Sequence, residues 1–191
     1  MVVGDLLSVK ALAWRILAGL SLWLCLGLVQ AEASTLVAPR QGEMVNLAPH
    51  LQLLEDPSGQ LSLEQVQALE FRDNQAESAN FGFSHSAWWV RVRLSNPSAH
   101  IRHLMLRQDY PLIDWLDFWS PQPDGSWQVR NTGDRRPFAS REIHHRDFIF
   151  SLDLPPYSEQ SYYLRYASAG PINIGLGLSS AQTLFERISL E

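Results

Sequence analysis

The sequence predicts an all-β fold, a sandwich of two antiparallel sheets with short flanking helices. At least seven short segments alternate hydrophobic and polar residues, as strands with one buried face do. Turn-forming clusters separate these segments, and no long helical pattern lies between them. The chain has 191 residues, 46% of them hydrophobic, so it is long enough to bury a core. Among sandwiches we prefer the jelly roll.

The first 33 residues have the composition of a secretory signal peptide. Lys10 and Arg15 precede an apolar run over 16–29, and small residues follow at Ala31 and Ala33. The run is shorter than the roughly 20 residues that a membrane-spanning helix needs. We expect cleavage after Ala33, with Ala31 as the alternative, and an uncleaved anchor as the alternative interpretation. The domain over 47–185 is therefore expected in the periplasm, or associated with the inner membrane if the signal is retained.

Two features of composition exclude classes of function. Cys25 is the only cysteine and lies inside the apolar run, so the mature chain is expected to have neither a disulfide nor a thiolate nucleophile. The bulky residues before it, Trp23 and Leu24, argue against lipidation. The net charge of −5 argues against a general nucleic-acid binder.

The domain begins with a polar lead-in over 34–46 and a first strand over 47–54, which ends at the turn cluster 56–59. Ser62 and Gln65 then fit a capping box, which predicts a short helix over 62–70. A polar link over 72–80 follows.

The next strand, 87–96, organises the chain. Its alternation places one set of residues on a core face: Trp88, Val90, Val92 and Leu94. The opposite face, toward water or a ligand, has Trp89, Arg91 and Arg93. Further alternating strands are predicted at 102–109, 113–120, 127–129, 148–154, 162–166 and 172–178. Ser180 caps a terminal helix through about Arg187, and a tail over 186–191 ends the chain.

Several of these segments also carry a family resemblance. The segments, in order, are Ser62–Gln65, Ala87–Asn96, Leu116–Trp119, Gly133-Asp134, Pro137–Arg141, Phe148–Pro156 and Tyr163–Ser168. Together they resemble the type 2 extracellular domain of bacterial receptors with a seven-helix diverse intracellular signalling module (7TMR-DISM). The resemblance covers roughly 47–185.

The resemblance implies a non-enzymatic periplasmic sensory domain whose jelly roll is similar to carbohydrate-binding modules. In such receptors seven membrane helices and a cytoplasmic output domain follow. This chain ends at Glu191 before any such helix, so we expect a receptor fragment, a truncated product or a stand-alone relative. Membrane association would come from the missing downstream region or from an uncleaved signal.

Catalytic and metal-binding motifs are weak. The segment 82–86 lacks the second glycine of a nucleophile elbow and precedes a strand, which disfavours a hydrolase. The six histidines show no zinc spacing. The loop 70–77 has oxygen ligands suited to calcium, with Asp73 as the speculative metal ligand, although a solvated loop is the favoured interpretation.

The candidate ligand-binding residues lie opposite the hydrophobic stripes of their strands. They are Trp89, Arg91, Arg107, Asp109, Trp115 and Arg165. By the resemblance, Arg141 matches the family's Pro-Phe-x-x-Arg motif. We expect Arg141 either to contact a ligand anion at the sheet rim or to tie a loop to a backbone carbonyl. Gly175 and Gly177 leave room for a groove beside these residues.

Three interpretations of this face stay open. Aromatic stacking and arginine hydrogen bonds suit a carbohydrate or another small polar ligand. Cross-strand pairing of arginine with aspartate is the structural alternative. A protein interface, for a homodimer or a partner sensor, is the third, since Trp, Tyr and Arg are favoured there. We expect a ligand-binding sensory domain, with a protein-interaction domain or a calcium-responsive sensor as alternatives.

Overall fold

A computed structural model describes residues 35–190. The predicted signal peptide, its cleavage sites and Cys25 lie outside the described residues. That range contains thirteen strands and two α-helices, and no helix in it is long and apolar enough to cross a membrane.

The strands are short, and the two helices lie between or after them. The strands are β1 (Leu36–Val37), β2 (Met44–Asn46), β3 (Leu51–Asp56), β4 (Arg72–Asp73), β5 (Ala79–Phe83), β6 (Ala87–Asn96), β7 (Arg102–Gln108), β8 (Trp115–Pro121), β9 (Trp127–Thr132), β10 (Phe148–Leu154), β11 (Ser158–Ala167), β12 (Pro171–Ile174) and β13 (Leu176–Ser180). The helices are α1 (Leu63–Gln67), between β3 and β4, and α2 (Ala181–Ile188), after β13. Short 3-10 turns lie at Ala48–His50 and Phe138–Ser140.

The strands form a sandwich of two main sheets. The larger sheet has the order β4-β3-β6-β11-β8-β9, and β1 pairs in parallel with the end of β6. The smaller sheet has the order β10-β7-β13-β2, and β12 pairs with β5 in a separate ribbon. Strands β6, β7, β8, β10 and β11 alternate between the two main sheets, and apart from β1 their pairings are antiparallel. The predicted jelly-roll sandwich is confirmed.

The core lies between the two sheets. Strand β6 is paired along its length with β3 on one side and β11 on the other, and its predicted core face is buried. The facing sheet contributes the predicted stripe of β10: Phe148, Phe150, Leu152 and Leu154. With 25 buried residues in one cluster, the domain is held by its hydrophobic core.

The two helices begin at the capping residues that the sequence predicts. The Ser62 hydroxyl accepts the backbone N–H of Gln65 while the Gln65 side chain accepts the backbone N–H of Ser62, which is the predicted capping box. The Ser180 hydroxyl accepts the backbone N–H of Thr183 and begins α2. Helix α2 continues into the predicted tail, to Ile188.

The lead-in predicted over 34–46 contributes two short strands, β1 and β2, to the sheets. The link predicted over 72–80 contains β4 and the start of β5. Strands β1, β2 and β4 are only two or three residues long, which is too short for alternation to identify them, and pairing with a neighbouring strand defines them.

The outer face of the larger sheet differs from the prediction. Helix α1 and the segment around it cover that face, and a second hydrophobic cluster forms beneath them, which we call the aromatic outer layer. Its buried members are Val66, Phe71, Trp89 and Tyr163, and Leu54, Leu61, Leu63, Trp119 and Trp127 pack around them. The expectation that the Trp89 face is open to a ligand is wrong. The Trp89 side chain is only 1% exposed.

Candidate functional site

A groove opens along one edge of the sandwich, where edge strand β9 of the larger sheet lies opposite edge strand β10 of the smaller one. It has a volume of about 650 Å³. Its hydrogen-bonding lining includes Gln122, Gln128, Arg130, Glu142, Asp153 and Gln160, and Ile101, Pro121 and Pro155 give it apolar walls. We call this the edge groove.

Arg130 is the central charged group of the edge groove. The pairing of Phe118 with Arg130 in the register of β8 and β9 directs the guanidinium between the two sheets. There it lies 4.7 Å from the centroid of the Phe118 ring and 5.9 Å from that of Phe150. Such cation–π contacts, together with partial burial, hold the guanidinium in one position.

Glu142 completes this arrangement. The Nη1 group of Arg130 donates to Glu142 Oε2 at 2.6 Å and to the Ser151 carbonyl at 2.7 Å, and Nη2 donates to the Ser120 hydroxyl at 3.0 Å. The Ser151 backbone N–H donates to Glu142 Oε1 at 3.1 Å, and the Ser151 hydroxyl donates to the same oxygen. The Arg130–Glu142 pair therefore provides hydrogen-bond partners for the backbone N–H and carbonyl of Ser151 on the unpaired edge of β10. It also gives the groove a fixed polar wall.

The back of the edge groove is formed by Tyr162. Its hydroxyl donates to Gln160 Oε1 at 3.0 Å, and burial raises the pKa of the phenol, so the hydroxyl stays protonated. The groove thus offers amides, a hydroxyl and an ion pair within a space typical of small-molecule sites. These groups both donate and accept hydrogen bonds, which suits a ligand rich in hydroxyl groups.

Sequence reasoning missed the edge groove because its residues come from segments far apart in the chain. Arg130 and Ser151, which are hydrogen-bonded, are 21 residues apart. One signal was present: on β9 the polar residues Gln128, Arg130 and Thr132 occupy the face that packs toward the core. Polar side chains on the inner face of an edge strand indicate an open sheet edge.

The candidate residues of the larger sheet help to hold the cover of the aromatic outer layer in place. Arg91 Nε donates to Gln52 Oε1 at 2.7 Å, and its guanidinium carbon lies 4.4 Å from the Phe71 ring centroid. Arg165 Nη2 donates to the Gly59 carbonyl at 2.6 Å. The segment from Gly59 to Phe71 is thus fastened over Trp89, so that neither face of the buried indole is open to stacking with a ligand.

Trp115 lies at the start of β8 and is 42% exposed. The Arg136 guanidinium lies 5.1 Å from its ring centroid. Arg136, in the loop after β9, also donates to Asp117 Oδ1 at 2.6 Å. The cross-strand arginine–aspartate pairing of the structural alternative occurs between Arg165 of β11 and Asp117 of β8, where Nη1 and Oδ2 lie 3.8 Å apart.

Arg107 lies on β7 of the smaller sheet and Asp109 directly follows that strand, on the opposite side of the sandwich from Trp89 and Arg165. The expectation that all the candidate residues form a single aromatic–arginine surface is therefore wrong. Arg107 Nε pairs with Asp147 Oδ2 at 2.6 Å, and both side chains are largely buried. The groove expected beside Gly175 and Gly177 is present, with a volume of about 440 Å³, and Asp109 lines it.

Arg141 ties a loop, in agreement with the second of its two interpretations. Its Nη1 donates to the backbone carbonyls of His145 and Arg146. Its guanidinium lies 4.4 Å from the Phe148 ring centroid and 5.0 Å from that of Phe138. Burial lowers the pKa of Arg141, but the side chain stays charged at physiological pH. Contact with a ligand anion stays a prediction.

Asp73 is exposed on β4, and its Oδ1 accepts a hydrogen bond from Gln52 Nε2 at 2.7 Å. Between residues 35 and 190, no three His, Cys, Asp or Glu side chains are grouped so that they could hold a metal ion. The calcium site stays a prediction and has no ligand set beyond Asp73 in that range.

Comparison with known structures gives distant similarities. A family GH115 4-O-methyl-α-glucuronidase with specificity for decorated arabinogalactans is 14% identical, with a TM-score of 0.34, over 75% of this chain and 18% of that enzyme. The carbohydrate-binding module TmCBM61, solved with β-1,4-galactotriose, is 8% identical, with a TM-score of 0.31, over 72% of this chain and 87% of the module. No curated protein matches significantly.

A family model gives the stronger result. The model of the 7TMR-DISM extracellular 2 domain matches residues 48–180, which include the larger sheet from β3 onward, the edge groove and all of β13. This agrees with the resemblance carried by the sequence segments. The family implies a periplasmic or extracellular location and a sensory role in receptors. The chain belongs to the 7TMR-DISM extracellular 2 family.

Proposed function

We propose that this domain is the ligand-binding part of a periplasmic receptor and that the edge groove binds a carbohydrate-like or other small, hydroxyl-rich ligand. The observation that carries the proposal is the fixed Arg130–Glu142 pair, which lies among amide side chains in a groove of about 650 Å³.

The chemistry of the groove favours such a ligand over an apolar one. Sugar hydroxyls donate and accept at once, and the amides of Gln128 and Gln160 can do the same. Arg130 and Glu142 offer charge-assisted hydrogen bonds, which are the stronger kind. Pro121 and Pro155 provide apolar contact for the C–H faces of a sugar ring.

The position of the groove gives the ligand a way to act on the fold. A ligand that contacts β9 and β10 bridges the edges of two sheets, and binding to the folded state stabilises it. We propose that the bridged edge alters dimer contacts or docking on membrane helices, which passes the signal on.

Glycan-array screening of the purified protein, followed by calorimetric titration with the neutral oligosaccharides that bind, tests the proposal. Gln128→Ala removes an exposed groove amide, and we expect binding to fall at least fivefold while the melting temperature is unchanged. Gln67→Ala, an exposed glutamine on α1 outside the groove, is the matched control. Absence of binding across the array, or equal binding by Gln128→Ala, would overturn the proposal.

A second candidate function is self-association, and exposed hydrophobic side chains favour it. Leu112 and Phe138 are 56% and 54% exposed, and Trp115 is 42% exposed. Their loops are joined by backbone hydrogen bonds from Asp134 and Arg135 to Ile113 and Asp114. We call the side chains of Leu112, Trp115 and Phe138 the loop surface. Exposed apolar residues on loops that are joined in this way favour an interaction site.

Sedimentation equilibrium at several protein concentrations tests self-association. A concentration-dependent dimer that Leu112→Ser abolishes is the expected result. Leu69→Ser, at an exposed leucine just beyond the end of α1 and outside the loop surface, is the control. A monomer at every concentration contradicts this candidate and leaves the ligand proposal unaffected.

The calcium-responsive alternative has its own test. If Asp73 is a calcium ligand, calcium raises the melting temperature of the protein and Asp73→Ala removes that rise. An equal melting temperature with calcium and with a chelator contradicts it.

A further inference from the structure

We propose that the groove over Gly175 and Gly177 is a second binding site, for a small zwitterion of the α-amino-acid type. This glycine groove lies on the outer face of the smaller sheet, and its volume is about 440 Å³. Its lining residues differ from those of the edge groove, so the inference is independent of the function proposed there.

The floor of the glycine groove at Gly177 is backbone without a side chain. The fold does not require glycine at this position. In the register of the smaller sheet Gly177 lies between Arg107 of β7 and Asn46 of β2. A Cβ added at Gly177 would have the Val45 carbonyl oxygen, 3.8 Å away, as its nearest contact, and the backbone is not in the left-handed region. A side chain would fit there sterically, so glycine at this position keeps the groove open.

Gly175 has a different role. A Cβ at this position would overlap the carboxylate of Asp109, and the Asp109 backbone N–H donates to the Gly175 carbonyl at 3.0 Å. The glycine therefore seats the Asp109 carboxylate against the groove floor. Gly175 positions a charged group, and Gly177 leaves the space beside it.

The charges in the groove are of both signs. Among the residues that line it, Asp109 and Glu77 are acidic and Arg187 of α2 is basic. Asn46 Nδ2 donates to the Glu77 carbonyl at 3.1 Å, which fixes that side of the groove. A ligand with one ammonium and one carboxylate complements both kinds of charge, whereas a simple cation or anion complements only one.

The size and exposure of the groove set the expected ligand and affinity. Its volume is near the lower end of the range for small-molecule sites, which favours a free amino acid over a polymer. Asp109, Glu77 and Arg187 are all exposed. Exposed ion pairs contribute little individually, so we expect each charge to change affinity only roughly two- to fivefold.

Calorimetric titration with each of the twenty amino acids tests the proposal in the purified protein. Gly177→Leu fills the groove, and we expect the affinity for the amino acid that binds best to fall at least tenfold. Gly170→Leu is the matched control, because an added Cβ there has only the Ser168 hydroxyl within 4 Å, at 3.6 Å, and the residue does not line the groove.

Charge variants and ligand derivatives test the zwitterion without altering the floor. Arg187→Gln is expected to weaken binding, and the N-acetyl and methyl-ester derivatives of the bound amino acid are each expected to bind more weakly. Three results would each overturn the proposal. They are an unchanged affinity in Gly177→Leu, an affinity of both derivatives equal to that of the unmodified amino acid, and no binding of any amino acid by the folded protein.

Discussion

The aromatic outer layer and the edge groove contain the same kinds of side chain, but the first is covered and the second is open to solvent. Both combine arginine with aromatic rings: Arg91 lies over Phe71 in the first, and Arg130 lies over Phe118 in the second. In the outer layer α1 and its flanking segment exclude solvent, and Trp89 is 1% exposed. In the edge groove none of the described elements covers the mouth, and the polar groups of the wall face open space.

The difference shows that residue type alone does not distinguish a binding surface from a core. Tryptophan and arginine on the outer face of a strand form a binding platform only if no other segment packs against them. In this domain Asp56, Arg91 and Arg165 hold the covering segment in place. The contribution of this layer is therefore to stability, whereas we propose that the edge groove serves recognition.

The largest expected effect is the loss of the buried indole. Trp89→Ala removes a fully buried aromatic ring that stacks on Trp119 at 4.9 Å, so we expect a loss of about 3–5 kcal/mol in the free energy of unfolding. Trp115→Ala, at a 42% exposed indole, serves as the comparison and should cost less than about 1 kcal/mol. Denaturant unfolding measures both. Equal losses would show that the outer layer is not a packed core.

Asp56 tests how the cover is fastened. Its Oδ1 accepts from the Ser58 hydroxyl at 2.6 Å and from the Gly59 N–H at 2.9 Å, and its Oδ2 accepts from the Leu61 N–H at 3.0 Å. Asp56→Asn weakens these charge-assisted bonds, and we expect a loss of about 2–3 kcal/mol at pH 7.

The same residue gives a pH dependence. Burial alone would raise the pKa of Asp56, but the hydrogen bonds outweigh it and lower the pKa below its ordinary value. A lowered pKa in the folded state stabilises the fold above the unfolded value, near pH 4, and this contribution is lost as the pH falls through the folded value. Wild type and Asp56→Asn should therefore converge in stability as the pH falls below about 4. A constant difference across that range would contradict this assignment.

A smaller effect is expected at the wall of the edge groove. Arg130→Met keeps apolar contact with Phe118 but leaves Glu142 and the Ser151 carbonyl without this donor. We expect a loss of about 1–2 kcal/mol, because both acceptors are near solvent and water replaces part of the interaction. Thermal unfolding measures the loss, and a stability unchanged from wild type would show that the pair does not secure the β10 edge.

The smallest effect on stability is expected where the groove is open. Gln128→Ala should change the free energy of unfolding by less than about 0.5 kcal/mol, as exposed substitutions usually do. Loss of oligosaccharide binding in the same variant would sharpen the contrast with Trp89→Ala, which acts through folding. A large loss of stability would place Gln128 in the structural framework instead.

Much of the fold follows from local pattern. The alternation of β6, the stripe of β10 and the capping box at Ser62 each depend on neighbouring residues, and the structure has all three. Less of the candidate site could be predicted from local pattern. The groove beside Gly175 and Gly177 was expected from two small residues on one strand face, whereas Arg130 was not selected, since its partner Glu142 lies in a loop.

The sequence by itself determined which residues of each strand share a face, because side chains alternate along any strand. It did not determine what packs against each face. Arg165 binds the Gly59 carbonyl across 106 residues of chain, and that contact helps to close the outer layer over Trp89. The pairing order likewise left β9 and β10 as edge strands and opened the groove between them. Strand periodicity is local, but covering and opening a surface depend on contacts between distant segments, and only the tertiary structure decides those.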